Sequence, residues 1–568
     1  MKKALKIYLI LLLSIVSCKK EKAVSIETVD KPGTFSKNAM VVSAREEASK
    51  IGIATLKKGG NVFDALMATE MALSVTYPFA GSIGGGGFLV YRLADGEKGA
   101  LDYREKAPLA ANKDMYLDEN GEVIKGKSTI GGMAVGVPGG IAGIFEAHQK
   151  FGNLEIEDIL KPVIELATNG YAVTQMQHER FLEYDSLFVA VNGKPILYSK
   201  QIKPGDTIRN LKLAETLTRI ATNGRDEFYK GKTAEILVDF LQNHDGIITL
   251  DDLSRYQAKW RKPIEFRYDN YNVISMPPPS SGGICLGQIM TMLEPFDLKD
   301  FGHNSVKYIQ ALSETEKRAY ADRSYYLGDP DFVEIPTKML LSHVYAQERM
   351  ADFTFEAATP SDSISYGRIA GFESDETTHY SIVDQFGNAI AVTVTLNGAY
   401  GSKLFIDELG FFLNNEMDDF SSKPGVPNMF GLLGAEANSI APEKRMLSSM
   451  TPTLVEKDGE LFMSVGTPGG STIITSVLQT ILNVVEFNMP MQKAIDQKRF
   501  HHQWLPDEIR MEPNGFPKTT IKTLNELGYK TNESRSPIIG KVNGILILDD
   551  GTIEGGADKR GDDTAIGY

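Results

Sequence analysis

Residues Thr377 to Asn397 read TTHYSIVDQFGNAIAVTVTLN, and this stretch decides the fold. From Thr378 to Asp384, and again from Ala389 to Asn397, side-chain character alternates at period two, the pattern of strands with two different faces. Gln385-Phe386-Gly387-Asn388 between them is a turn, so the segment is a β-hairpin. Pairing Asp384 with Ala389 makes partner numbers sum to 773 and brings Thr377 and Thr378 beside Leu396 and Thr395, within a slip of one or two residues. Hydroxyls and the Asn397 amide then gather at one hairpin end.

Outward from there, more hairpins recur. Glu265–Tyr268 and Tyr271–Met276 flank Asp269-Asn270, and Thr453–Glu456 and Leu461–Val465 flank Asp458-Gly459. Helical composition marks Arg45–Leu56 and Val62–Leu73, separated by Lys58-Gly59-Gly60 with Asn61 as N-cap. Asn304–Arg323 is a further helix capped by Asn304 or Ser305. The mixture predicts an α+β protein of antiparallel sheet covered by helices. Pro468-Gly469-Gly470-Ser471 joins the strand ending at Val465 to an apolar helix over Ile473–Val485. Two glycines there expose N–H groups at the positive end of a helix dipole, suitable for an oxyanion hole; a plain strand-to-helix turn is the alternative.

The chain has 568 residues, 42% hydrophobic and 24% charged, with a formal charge of −14. That composition excludes global disorder, and the acidic balance argues against a nucleic-acid partner. Lys2, Lys3 and Lys6 precede an apolar run from Ile7 to Val16 and then Ser17-Cys18, a secretory signal over residues 1–17 too short to span a bilayer. Ile15-Val16-Ser17-Cys18 resembles a bacterial lipobox in which Cys18 is lipidated, making the membrane a partner only through a lipid anchor. An ordinary signal peptide with an incidental cysteine is the alternative. Residues 18–36 read as a tether. The expected location is periplasmic or cell-surface. Of two cysteines, Cys285 sits in an apolar run and reads as buried and inert, so no disulfide framework exists.

Several motifs are set aside. Gly121–Ser128 (GEVIKGKS) fits the P-loop pattern letter for letter, but a polar turn precedes it and glycine-rich sequence follows, where phosphate binding needs a strand and a helix. His501-His502 adjoin and point different ways, so no metal site is read. Gly84–Gly87 is either a close backbone approach or a turn.

Longer motifs carry a resemblance. TTHYS at Thr377–Ser381, NNEMDDFS at Asn414–Ser421, LSSM at Leu447–Met450 and GTPGGS at Gly466–Ser471 resemble the γ-glutamyltransferase family, as do REKAP at Arg104–Pro108, PPPSSGG at Pro277–Gly283, ADRSYYLGDPDF at Ala321–Phe332 and FHHQWLPDE at Phe500–Glu508. The likeness runs from about Val41 to Tyr568. It implies the N-terminal nucleophile hydrolase fold, a four-layer αββα sandwich built from both self-cleaved subunits. Cleavage at Glu376–Thr377 would give a large subunit, residues 37–376, and a small catalytic subunit, residues 377–568, that stay together as a heterodimer. Residue types alone do not choose Thr377 over Thr378 as nucleophile; the family pattern places it first.

The resemblance implies the remaining roles position by position. Arg104, Ser448 and Ser449 would bind the α-carboxylate of the substrate, a task suited to a planar guanidinium and hydroxyl donors. Glu416 and Asp419, with Asn397, would accept the α-ammonium. Gly469 and Gly470 would form the oxyanion hole, and Thr395 would support the nucleophile. Thr377 would take the γ-glutamyl group from glutathione or a related compound and pass it to water or to an amino-acid or dipeptide acceptor, with no metal or organic cofactor. Phe430 stands where several bacterial members carry a lid tyrosine. Other readings are a related acylase acting on a β-lactam side chain or poly-γ-glutamate, and a non-catalytic amino-acid-binding lipoprotein.

Overall fold

The computed structural model describes residues 32–81, 83–199, 201–365, 377–534 and 537–568. The expected signal segment, Cys18, the tether up to residue 31 and Glu376 lie outside the described residues. The elements below all belong to the body Gly33–Tyr568.

Strands are numbered here in chain order through the two large sheets. Before residue 377 they are β1 (Thr34–Ser36), β2 (Met40–Ser43), β3 (Gly86–Arg92), β4 (Lys98–Tyr103), β5 (Lys259–Arg261), β6 (Ile264–Tyr268) and β7 (Tyr271–Ser275). After it come β8 (Thr378–Val383), β9 (Ala389–Thr395), β10 (Thr453–Lys457), β11 (Glu460–Gly466), β12 (Asn543–Ile547), β13 (Ile553–Ala557) and β14 (Thr564–Gly567). One seven-stranded sheet runs β1-β13-β12-β11-β10-β7-β6. The other, also seven-stranded, runs β14-β2-β8-β9-β3-β4-β5, and every pairing in both is antiparallel. Strands from both sides of residue 377 thus share each sheet, meeting at β1–β13 and β10–β7 in the first and at β14–β2, β2–β8 and β9–β3 in the second.

The sheets face one another across a core of Met40, Val42, Phe88, Val90, Ile274, Ala391, Leu454 and Ile545. Helices α1 (Glu46–Lys57) and α2 (Val62–Thr76) cover the outer face of the second sheet, packing on Leu89, Leu101, Tyr380, Ile382 and Val392. On the far side, α3 (Gly282–Leu293), α4 (Val306–Tyr326) and α5 (Thr472–Val485) pack on Val273, Val455, Met463 and Val465. This helix–sheet–sheet–helix order is the four-layer αββα sandwich that the sequence leads one to expect.

Local chemistry explains the element ends. Asn61 Oδ1 accepts from Phe63 N at 2.8 Å while Asp64 Oδ2 accepts from Asn61 N at 2.8 Å, a reciprocal cap that starts α2. Ser305 caps α4 by accepting from Tyr308 N.

Two expectations need correction. The central hairpin pairs Val383, not Asp384, with Ala389, so partner numbers sum to 772 and Thr378 faces Val394. Asp384 leaves the strand because its carboxylate closes the turn: Oδ1 accepts from Phe386 N and Asn388 N, both at 2.9 Å. Second, the end of the expected tether is ordered strand. Thr34–Ser36 pairs with Ile553–Gly555 as β1, which satisfies backbone groups a tether would leave to water.

Candidate active site

A cavity with about 290 Å³ of free space, part of it open to solvent, lies where β8 begins and β9 ends, beside the loop that follows β11. Its lining includes Arg104, Thr377, Thr395, Asn397, Asp419, Ser448, Ser449 and Gly470. Residues widely separated in sequence, which the motif reading had grouped, are therefore brought to one place. Glu416 and Gly469 stand immediately behind this lining.

The pleat separates the two neighbouring threonines. Tyr380 and Ile382 point to the α1–α2 layer, whereas His379 and Ser381 point between the sheets, where His379 Nδ1 lies 2.9 Å from Thr393 Oγ1. Thr377 follows the His379 alternation and lines the cavity, 5% exposed. Thr378 follows Tyr380: its Oγ1 is buried and has no hydrogen-bond partner among the described residues. Only Thr377 of the pair opens onto a space that could hold a substrate.

Thr395 is set by the glycine cluster that the sequence left open. A Cβ on Gly85 would stand 2.1 Å from Thr395 O, and one on Gly84 2.3 Å from Phe412 O. Gly84–Gly87 is therefore a close backbone approach that seats the end of β9. Beyond it, Asn397 takes φ 71°, its N–H donates to Thr395 Oγ1 at 2.7 Å and its side-chain amide donates to Asn415 O at 3.0 Å.

The opposite wall is the loop from β11 to α5. Gly466 gives His379 room, since a Cβ there would lie 2.3 Å from the imidazole. Gly469 (φ 140°) and Gly470 (φ 53°) occupy backbone conformations that favour glycine. Their N–H groups donate to no acceptor among the described residues. Unpaired amides at the start of a helix make an anion-stabilising wall. The loop is fastened from behind: Thr472 Oγ1 donates to Gly469 O at 2.7 Å, and the Tyr320 hydroxyl donates to Ser471 O. Ser471 Oγ donates to Gln503 Oε1 at 2.7 Å, and Gln503 Nε2 donates to Gly431 O at 3.3 Å. Gly431 lies between Phe430 and Leu432, which both line the cavity, so one glutamine side chain joins the cover of the site to its glycine loop.

The charged end differs from the simplest expectation. Arg104, 1% exposed, holds two carboxylates of its own chain: Nη1 stands 2.6 Å from Glu416 Oε2, and Nη2 contacts Asp419 Oδ2. Burial works against its charge, but Glu416, Asp419 and Glu105 outweigh that and hold its pKa up. Burial pushes the Glu416 and Asp419 carboxyls above the usual carboxylate range, against the pull of Arg104. Glu416 is fully buried behind the guanidinium, while Asp419 reaches the cavity and accepts from Asn428 Nδ2 at 2.9 Å.

Ser448 and Ser449 are held by the proline-rich motif. Ser448 N donates to Pro279 O at 2.9 Å, and Ser281 donates to Ser448 O through N at 2.8 Å and Oγ at 2.7 Å. Arg323, missed by the sequence reading, also lines the cavity, donating to Ser281 Oγ and Ser449 Oγ. Its only signal was membership of the ADRSYYLGDPDF stretch. Elsewhere, Cys285 is buried with its thiol pushed up to about 12 by desolvation. Gly121–Ser128 forms turns, with Ser128 donating to Asp418 Oδ1 at 2.6 Å.

Comparison with known proteins points the same way. The chain matches the gamma-glutamyltranspeptidase family model over residues 48–568. It is 44% identical over 538 residues to the glutathione hydrolase proenzyme of Escherichia coli K12, covering 94% of this chain and 92% of that one. The glutathione hydrolase proenzyme of Pseudomonas aeruginosa is 43% identical over 527 residues, 92% and 93% of the two chains. Among solved structures, the cephalosporin acylase from Bacillus halodurans superimposes with a TM-score of 0.82 over 95% of this chain and 97% of that one; at 24% identity this likeness concerns the fold alone. Helicobacter pylori gamma-glutamyltranspeptidase gives a TM-score of 0.55 at 42% identity, covering 57% of this chain and 94% of that one.

Proposed function

The chain belongs to the gamma-glutamyltranspeptidase family, and we propose that it is a self-processing γ-glutamyltransferase that hydrolyses glutathione and related γ-glutamyl amides. The observation that carries the reading is a single cavity in which a threonine hydroxyl, unpaired glycine amides and a charged amino-acid-sized recess converge.

The proposed cycle begins with cleavage of the Glu376–Thr377 bond. A threonine hydroxyl is a weak nucleophile, but the α-amino group that cleavage releases has an ordinary pKa of about 7.7–8.0 and serves as base at neutral pH. In the precursor that nitrogen is a non-basic amide, so cleavage switches the transferase on. Thr377 Oγ1 then attacks the γ-carbonyl, its proton passing to the α-amino group. Negative charge developing on the carbonyl oxygen is met by the N–H groups of Gly469 and Gly470. Collapse expels the amine, cysteinylglycine in the case of glutathione, which takes the proton. Water or an acceptor amine attacks the resulting ester and frees Thr377.

Donor recognition falls to the charged end. Asp419 and the Asn397 amide oxygen accept from the substrate ammonium, and Arg104, Ser448 and Ser449 hold its carboxylate. Glu416 acts through Arg104, keeping the guanidinium in place. This recess suits a free α-amino-acid head group better than a plain acyl chain, which favours γ-glutamyl donors over β-lactam side chains.

The N-terminal basic and apolar segment supports export, with Cys18 as the lipid-bearing residue. No helix of the described residues is long and apolar enough to cross a membrane. The test of the whole reading starts with residues 19–568 of the wild type and of Thr377→Ala, compared by intact mass. Two chains, the smaller beginning at Thr377, are expected only from the wild type, together with glutathione hydrolysis. A folded wild type that stays whole and inactive overturns the proposal.

A further inference from the structure

The recess holds a second guanidinium to which the cycle above gives no part. Arg323 lies in the last turns of α4, is 3% exposed and lines the cavity alongside Ser449. Its Nε donates to Ser281 Oγ at 2.9 Å and its Nη2 to Ser449 Oγ at 3.0 Å. Among the described residues it makes no ion pair with a carboxylate, whereas Arg104 is already paired with Glu416 and Asp419. The nearby Asp419 carboxylate partly offsets its charge but is bonded to Arg104, so an anion that enters the cavity relieves the remaining cost of burying the second cation.

The hydroxyl geometry gives the charge a direction. A serine hydroxyl has one proton to donate. Ser281 Oγ accepts from Arg323 and gives its own proton to Ser448 O, which fixes the backbone at Ser448-Ser449. Ser449 Oγ also accepts from Arg323, so its lone pair on that side is occupied and its proton is left to point at a ligand. Ser449 is thereby a hydrogen-bond donor toward whatever anion occupies the recess.

We infer that Arg323 is a positioning and specificity-determining residue for the α-carboxylate of the donor: it brings a second guanidinium to the recess, with no carboxylate bonded to it among the described residues, and presents Ser449 as a donor. The inference rests on the γ-glutamyl reading. It shifts part of the electrostatic demand for a carboxylate from Arg104, which its own chain neutralises, to an arginine 126 residues from Ser449 in sequence.

The test compares two chromogenic donors that differ only in the α-carboxylate, L-γ-glutamyl-p-nitroanilide and 4-aminobutyryl-p-nitroanilide. For Arg323→Gln, kcat/KM on the carboxylate-bearing donor is expected to fall by roughly 10- to 100-fold, mainly through KM, as for loss of a charge-assisted hydrogen bond. The donor lacking the carboxylate should change by less than about threefold, so discrimination between the two collapses. Ser449→Ala should lose discrimination in the same way, and adding it to Arg323→Gln should cost little more, because the two residues act as one unit. Equal losses on both donors, or additive effects of the two substitutions, overturn the inference. Should Arg323→Gln fail to fold, Ser449→Ala and Arg323→Lys decide by the same ratio. A wild type inactive on both anilides counts against the γ-glutamyl reading instead; calorimetric binding of L-glutamate against 4-aminobutyrate to wild type and Ser449→Ala then reads the inference separately.

Discussion

Glu70, buried on α2, offers a prediction whose size follows from the structure. Its Oε2 accepts from the Tyr380 hydroxyl at 2.6 Å and from the Tyr103 hydroxyl at 3.1 Å, which ties α2 to β8 and β4. Burial nevertheless pushes its carboxyl from the ordinary 4.5 up to about 7. Below pH 4.5 folded and unfolded chains are both protonated there, and the group adds no pH dependence. Between 4.5 and 7 the folded chain keeps a proton that the unfolded chain has released, so stability falls as pH rises; above 7 the loss is complete. That gap corresponds to about 3 kcal/mol at roughly 1.36 kcal/mol per pH unit. Glu70→Gln retains an acceptor for both tyrosines and removes the titration. A body of this size has an unfolding entropy of about 1.1 kcal/mol/K, and part of the loss is already present at pH 5, so the variant should gain about 2 °C in Tm relative to the parent between pH 5 and pH 8. The assay is scanning calorimetry on the uncleaved Thr377→Ala chain, with and without the second substitution. Parallel Tm curves across that range, or a gap that favours Glu70 at pH 8, would refute the reasoning.

Other consequences are equally direct. Thr378→Val replaces a buried hydroxyl that has no hydrogen-bond partner among the described residues with a methyl of the same shape, so self-cleavage and activity should survive and Tm should hold or rise; loss of cleavage would show a chemical role for Thr378. Gly85→Ala puts a methyl against Thr395 O, where no side chain can yield, and should displace the end of β9; expected is a loss of turnover of more than about tenfold with the fold retained by circular dichroism, and near-normal kinetics would contradict the close approach. Phe430, 4% exposed, covers the cavity without a hydroxyl. Phe430→Tyr should close the cover more firmly and move product from hydrolysis toward transfer, and an unchanged ratio sinks that idea.

Much of the architecture was legible because its signals are local. The alternation in Thr378–Asp384 and Ala389–Asn397 marks strands wherever they lie, and the glycine pair before α5 announces exposed amides. The register was off by one because Asp384 looks like a strand residue until its carboxylate is seen closing the turn. Alternation reports faces but not partners, so the mixing of strands from both sides of residue 377 within each sheet was hidden. Arg323 was hidden for a similar reason: on its helix it is one more cation, and its meaning comes from a serine far along the chain. The pairing of Arg104 with Glu416 and Asp419 is likewise a product of tertiary packing, since the residues lie more than 300 apart in sequence.

The sharing of both sheets by strands from either side of residue 377 governs what kind of object the mature protein would be. β2 lies between β14 and β8, β9 pairs with β3 over seven residues, and β13 with β1 and β10 with β7 join the halves again in the other sheet. Two chains threaded through both sheets have no surface along which to part. Dilution should not separate them, and mixing two isotopically distinct preparations should give no hybrids on any timescale shorter than global unfolding. After denaturation the cut chain must find by collision the pairings that the uncut chain found under tether, so each molecule's two pieces share one folding event and no second chance at it.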